Sequence, residues 1–285
     1  MTVACESGDV SPTVLITGCS SGIGHATALA FNERGWEVYA TAPDRSSIDD
    51  LEEAGCHVAK LDVTDPGDAG VVADRIVDEQ GRIDCLFNNA GYGQIGPLEE
   101  LPTEQLREQF EVNYFGAHRV ARAVLPYMRE QGSGLIVNTS SVYGRTILMG
   151  QGAYASSKWA LEALSDTLRV ELSDHDVDVV SLEPGPVETE FGERAIGEID
   201  KLERTGAYEW FYTLFDTRRY GRRLIDRALG HVQPEDVAEV VIEIAESEDR
   251  PRRRIVGPWK YMVWLGYVLP DGVRDRALEL LKRLP

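Results

Sequence analysis

Short apolar, β-branched runs alternate with longer stretches whose apolar positions recur every three or four residues, nearly from end to end of the chain. The runs predict strands at Thr13–Thr17, Glu37–Ala42, His57–Leu61, Cys85–Asn88, Leu135–Thr139, Asp178–Glu183 and Arg254–Gly257. The longer patterns predict helices at Ile23–Arg34, Ile48–Ala54, Gly67–Gln80, Thr103–Phe115, Ala117–Glu130, Tyr154–Leu172 and Pro234–Glu246. Gly35 follows the first helix and Asp65-Pro66 opens the third, as stop and start signals do. Strict alternation of this kind calls for a parallel sheet covered by helices on both faces. The expected architecture is therefore α/β, a doubly wound parallel sheet of about seven strands in a single domain, 13–258, behind a short tail, 1–12.

Two regions break the alternation. Pro186–Gly230 holds Tyr208, Trp210, Phe211, Tyr212 and Phe215 but no strand signal, and it follows a strand end. Ligands of open α/β sheets sit beyond the carboxyl ends of strands, so the segment is placed to cover a substrate. A helical pair packed on the sheet edge is the other reading. The second region, 259–285, is an apolar, Arg-flanked extension that reads as a helix docked on the domain, a partner surface or a shallow interfacial anchor. Its apolar core, Trp259 to Leu269, is about half the roughly 20 residues that span a bilayer.

Composition sharpens this picture. With 285 residues and 43% hydrophobic positions the chain can fill one large core. Its 48 Asp and Glu against 29 Lys and Arg leave a net charge of -19, which repels nucleic-acid phosphates and anionic membranes alike. Only five of the basic residues are Lys (60, 158, 201, 260 and 282), and acidic excess with scarce Lys suggests adaptation to concentrated salt, where self-repulsion is screened. Cys5, Cys19, Cys56 and Cys85 form no C-x-x-C pair, so neither zinc nor a disulfide framework is indicated and a reducing cytoplasm is expected. The first residues, MTVACESGDVSPT, lack the charged-then-apolar order of a secretory signal.

Chemistry enters where the first strand runs into Thr17-Gly18-Cys19-Ser20-Ser21-Gly22-Ile23-Gly24 and a helix begins. Glycines there permit a tight turn and close backbone approach to a pyrophosphate, and the helix start offers free N–H groups. Further along stand Asp62-Val63, Asn88-Asn89-Ala90-Gly91, Asn113 within Val112-Asn113-Tyr114-Phe115-Gly116, Ser141, Tyr154-Ala155-Ser156-Ser157-Lys158 and Pro184-Gly185-Pro186-Val187-Glu188-Thr189. Tyr154 and Lys158, four apart on a helix, share one face about 6 Å apart at their bases. Ser140 and Ser141 point to opposite faces of a strand, so one alone can serve the site.

These motifs resemble the short-chain dehydrogenase/reductase family over residues 13 to 257, which implies a Rossmann-type fold and an NAD(P)-dependent alcohol dehydrogenase or carbonyl reductase. By the resemblance, Asn113, Ser141, Tyr154 and Lys158 form the catalytic set, with Ser141 chosen over Ser140 by its offset of 13 residues from Tyr154. The resemblance gives cofactor contacts to Gly18, Ser20, Ser21, Gly22, Ile23, Gly24, Asp62, Val63, Asn89, Ala90 and Gly91, to Tyr154 and Lys158, and to Pro184, Gly185, Val187 and Thr189. Asp62 also reads as a strand-end turn residue, and Asn88 and Asn89 as scaffold. A phenol has a pKa of about 10, and the ammonium of Lys158 is expected to lower that of Tyr154. Ser141 would steady negative charge on the substrate oxygen, and Tyr154 would move the proton.

The end of the second strand carries Ala42-Pro43-Asp44-Arg45. The resemblance implies that an acidic residue at the position of Ala42 would hold the ribose 2′-hydroxyl and reject a 2′-phosphate; none stands there, and Arg45 can pair with the phosphate unless Asp44 occupies it or repels the phosphate, so NADP(H) is slightly favoured over NAD(H). The expected substrate is a small-molecule carbonyl or alcohol of apolar or bulky kind, and the resemblance implies a homodimer or homotetramer. His25, His57, His118, His175 and His231 receive no role, and Arg252-Arg253-Arg254 reads as a solvated lead into the last strand. Competing readings are a catalytically silent cofactor-binding regulator, an interaction protein built on 259–269, and a nucleotide-sugar epimerase, whose glycine spacing and larger substrate domain are not seen in this sequence.

Overall fold

β1 (Thr13–Thr17) and β5 (Gly134–Thr139) are buried at every position, the consequence of lying inside a sheet covered on both faces. The computed structural model describes residues 11–215 and 232–282. With β2 (Glu37–Ala42), β3 (His57–Lys60), β4 (Cys85–Asn88), β6 (Val177–Pro184) and β7 (Arg253–Val256) they form one parallel sheet in the order β3-β2-β1-β4-β5-β6-β7. The order reverses between β1 and β4, which opens a crevice at the carboxyl ends of those strands. The doubly wound single domain expected from the alternation is the fold observed.

Alternation along each strand sends its residues to two apolar layers. Val14 and Ile16 of β1 join Phe31 of α1 (Gly22–Glu33), Leu51 of α2 (Asp49–Glu53) and, from the Pro234–Glu246 helix, Val237 and Val241. Leu15 points the other way, to Val72 and Ile76 of α3 (Asp68–Gln80) and to Val120, Val124 and Met128 of α5 (Ala117–Gln131). The Thr103–Phe115 pattern divides: α4 (Thr103–Phe110) ends in a π-helical turn, Glu111–Gly116, that runs straight into α5. α6 (Gly152–Glu171) crosses the same face and leads to β6.

The two irregular regions are helical where they are described. α7 (Glu190–Ile199) and α8 (Glu209–Phe215) follow β6, while Tyr220, His231 and the rest of 216–231 lie outside the described residues. The Pro234–Glu246 helix is α9, and β7 is followed by α10 (Lys260–Val268) and α11 (Asp271–Lys282). Trp259 and Val263 are buried against Val142, which docks α10 on the domain, and Tyr261, Trp264, Leu265 and Val268 stay exposed. Among the described residues no helix is long and apolar enough to cross a membrane.

The arginine run is not wholly a solvated lead. β7 starts at Arg253, in register with Ser181, and its side chain turns under α6 to bond the carboxylates of Glu162 and Asp166. Two acidic partners compensate the charge, so an arginine at this position enters a half-buried strand. Arg254 faces outward and pairs with Glu243 at 3.0 Å.

Candidate active site

The carboxyl ends of β1, β4, β5 and β6 present the sequence-marked residues to one crevice. Gly18 has φ +72°, a conformation that favours glycine, and a Cβ there would lie 2.8 Å from the Cα of Ala90. At Gly24 a Cβ would sit 2.3 Å from the Gly18 carbonyl oxygen and 2.5 Å from Asn89 Nδ2. The loop is therefore packed backbone against backbone. Thr17 Oγ1 accepts from the N–H groups of Asn89 and Ala90, and Asn89 Nδ2 donates to the carbonyls of Thr17 and Gly18, all at 3.0 Å. Asn88 turns inward instead, donating to Asn138 Oδ1 and the Ala117 carbonyl, and so serves the scaffold.

Ser21 precedes α1 in extended conformation, its side chain makes no cap hydrogen bond, and the first turn holds no acidic residue. The positive end of the helix is thus open to an anion. Thr189 caps α7, accepting from the N–H of Phe191, and its methyl group would be 2.9 Å from a Cβ at Gly22. Asp62 Oδ1 accepts from Thr64 N and Oγ1, the turn role allowed for it, and Val63 packs against Gly116. Gly185 lies against the Trp259 indole, where a Cβ would come within 2.3 Å of Cδ1. Val187 bridges to Val232 beside it.

The π turn carries Asn113. Its Oδ1 accepts from Tyr92 N at 3.1 Å, and its Nδ2 donates to the Tyr92 carbonyl at 3.0 Å and to Ser157 Oγ at 3.2 Å. One amide so holds both backbone groups of Tyr92. Widened turns of this kind recur at functional sites. A Cβ on Gly91 would be 3.1 Å from Asn113 Oδ1 and 3.6 Å from Lys158 Nζ, which places all three side by side.

Ser141 Oγ accepts from Tyr143 N at 3.2 Å, and its hydroxyl acts on the Tyr154 phenol in favour of the ionised form. Ser140 points elsewhere: its hydroxyl is buried beside Gly144 without a hydrogen-bond partner. Lys158, only 3% exposed, donates to the Thr139 carbonyl at 2.7 Å and lies 5.7 Å from the centre of the Tyr154 ring. Burial pulls Lys158 down to about 8, with the charge of Glu162 acting upward. The Tyr154 phenol does not move down as expected. Burial pushes it up to about 12, the Ser141 hydroxyl lowers it and Tyr143 raises it. Burial is the reason, and the ammonium of Lys158, which donates to the Thr139 carbonyl, does not offset it.

Aromatic residues wall the Tyr154 ring. Tyr143 and Phe191 meet it edge-on at 6.4 and 5.6 Å between centroids. Neither was marked in the sequence, although each stands two residues after a marked one, Ser141 or Thr189. Phe191 and Ala195 of α7 pack on Gly93, Leu202 on Gly96 and Phe211 on Gly150. Thr205 and Tyr212 donate to the Glu100 carboxylate and Tyr208 to Glu99, so the segment after β6 is fastened over the loops after β4 and β5. Arg45, by contrast, lies on the surface, bonded to Asp49 at 3.0 Å and Glu52 at 2.6 Å, and Asp44 caps Ser46.

Residues 12–198 match the family model described as short chain dehydrogenase. An uncharacterized oxidoreductase of Escherichia coli, YbbO, is 42% identical over 182 residues, covering 63% of this chain and 67% of its own. Retinol dehydrogenase 8 of Bos taurus is 37% identical over 262 residues, covering 86% and 81%. Among solved structures, a short-chain dehydrogenase from Streptomyces avermitilis superposes with a TM-score of 0.78 at 34% identity over 95% of this chain and 96% of that one. A Burkholderia phymatum member solved with NAD gives 0.75 at 27% identity over 95% of each chain. An actinorhodin polyketide ketoreductase solved with NADPH gives 0.74 at 27% identity over 87% and 97%.

Proposed function

The chain belongs to the short-chain dehydrogenase family of oxidoreductases, and from that premise we propose that it interconverts a secondary or primary alcohol and its ketone or aldehyde, with Tyr154 as the acid and base. One observation carries the reading: Ser141 at the end of β5 holds Tyr143, whose ring meets that of Tyr154, with Lys158 one turn further along α6 and Asn113 beside it. In reduction, Ser141 donates a hydrogen bond to the substrate oxygen as negative charge develops there, and the neutral phenol of Tyr154 delivers the proton. In oxidation Tyr154 takes that proton. Lys158 anchors the ring's surroundings from the Thr139 carbonyl.

A nicotinamide dinucleotide fits this crevice, since Gly18, Gly22 and Gly24 put no side chain at their positions in the loop and the start of α1 is free of acidic ones. Bound there, it supplies the hydride. Gly18, Ser20, Ser21, Gly22, Ile23 and Gly24 would hold its pyrophosphate, and Asp62 and Val63 its adenine. Asn89, Ala90, Gly91 and Lys158 would line the ribose, and Pro184, Gly185, Val187 and Thr189 the nicotinamide end. Two features support NADP(H) over NAD(H): Ala42 offers no carboxylate, and Arg45 stands three residues on. The ion pairs of Arg45 with Asp49 and Glu52 keep that preference modest. Arg45→Ala should bring the two cofactors' kcat/KM within about threefold, and a preference untouched by it removes Arg45 from the account.

The aromatic wall of Tyr143 and Phe191 supports a bulky or apolar substrate. A panel of ketones, aldehydes and alcohols should rank such compounds first. Tyr154→Phe should lower turnover at least a thousandfold while cofactor affinity stays within a few-fold, because it removes the transferable proton and little else. Wild-type turnover in that variant would refute the assignment.

A further inference from the structure

A polar layer lies between α6 and the β6–β7 edge of an otherwise apolar sheet. Its members are Glu162 and Asp166 of α6, Glu183 of β6, Arg253 of β7 and Arg145, just after a 3-10 turn at Val142–Gly144. Arg253 Nε is 3.0 Å from Glu162 Oε2 and 3.6 Å from Glu183 Oε1, so one nitrogen stands between two buried carboxylates. Asp166 takes the other arm of the guanidinium and also pairs with Arg169 at 2.6 Å. Arg145 approaches Glu183 at 3.9 Å.

Glu162 is one helical turn beyond Lys158, which is one turn beyond Tyr154, so the three share a stripe of α6. Glu162 is 6% exposed and its Oε1 has no hydrogen-bond partner. Nothing in the proton transfer assigned to Tyr154 uses it. Yet a carboxylate this deep costs several kcal/mol of desolvation unless an opposite charge offsets it. On the far side that charge is Arg253, 3.0 Å away, and one helical turn back toward the active site stands Lys158.

We propose that Glu162, whose carboxylate is shared with Arg253, is a positioning residue that holds the ammonium form of Lys158 in the active site. Other groups facing Lys158 are neutral in their ordinary state: the Thr139 carbonyl, the Asn113 amide and the Tyr154 phenol. Burial works against the ammonium, and Glu162 is the charge that opposes it. Glu183 competes for Arg253 and so modulates how much of the Glu162 charge is left for Lys158. The inference rests on the reading that Lys158 belongs to the active site, but its test does not need turnover.

The chain has only five Lys, so the side-chain Cε signals of 13C-lysine-labelled protein can be resolved and Lys158 assigned by Lys158→Met. The Lys158 midpoint should fall by about one pH unit in Glu162→Gln, recover at least half in Glu162→Asp, and stay put in Glu171→Gln, an exposed glutamate on the same helix. Arg253→Gln, which frees Glu162 and removes a positive charge, should raise it by about half a unit. It also serves if Glu162→Gln does not fold. A Lys158 midpoint unchanged in folded Glu162→Gln, or unchanged or lowered in Arg253→Gln, overturns the proposal. The outcome is independent of Tyr154→Phe, whose activity tests the catalytic reading alone.

Discussion

Glu183 shows what one buried carboxyl does to the pH response of the molecule. Burial first, then the charge of Glu162, push it up to about 7, against the pull of Arg145 and Arg253. Its folded pKa thus exceeds the unfolded value of about 4.3, and the folded chain binds the extra proton between them. Stability from this group is complete below that window and is lost as pH rises through about 7. Glu183→Gln should match the wild type near pH 5 and melt several degrees higher near pH 8, at roughly 2–4 °C for each kcal/mol. A Tm difference that does not grow with pH contradicts this. Nothing in the sequence signalled Glu183, because its environment is made by Arg253 and Glu162, 70 residues downstream and 21 upstream, whose convergence depends on the sheet order. Tyr154, Lys158 and Ser141 were legible for the opposite reason, since their chemistry is tied to local spacing.

At the scale of elements, α7 and α8 rest on the loops after β4 and β5 through a small apolar cluster and a few polar contacts. Glu100 accepts from Thr205 N and Oγ1 at 2.7 Å and from the Tyr212 hydroxyl, and Arg204 lies 4.0 Å over the Tyr212 ring. Hydrogen bonds to a charged acceptor contribute about 1.5–3 kcal/mol each, so losing even one of these three should favour local opening by roughly 2 kcal/mol, about thirtyfold in population. Glu100→Ala should therefore move the first site of limited proteolysis into the segment after β6 and raise KM for a bulky substrate more than it lowers kcat. An unchanged cleavage pattern would mean that the apolar contacts of Leu202 and Phe211 suffice. The helices of this cover escaped the periodicity because their apolar stripe is thin: Phe191, Ala195 and Ile199 are diluted by Gly192 and Gly197. The π turn escaped too, since one extra residue per turn shifts the register of a helical pattern without breaking it.

For the whole molecule, alternation of strand and helix patterns announced a parallel sheet, but the order of its strands follows from crossover handedness and packing that no local window records. Net charge also acts only at this scale. Its effect on stability is a contest between repulsion spread over 19 excess negative charges and the many exposed Arg–carboxylate pairs, such as Arg34 with Glu239 and Glu246. Salt screens both. Exposed pairs contribute about 0–1 kcal/mol each and lose only part of it, whereas the unbalanced charge is long-range and collapses once the Debye length falls from about 10 Å at 0.1 M to about 3 Å at 1 M. Relief of repulsion should win, and Tm and activity should both rise between low and molar KCl. Replacing surface carboxylates by amides, for example Glu33, Glu53 and Asp174 to Gln or Asn, should reduce the salt dependence while raising Tm at low salt. A Tm that stays flat or falls with KCl would show that the ion pairs, not the net charge, govern the stability of this fold.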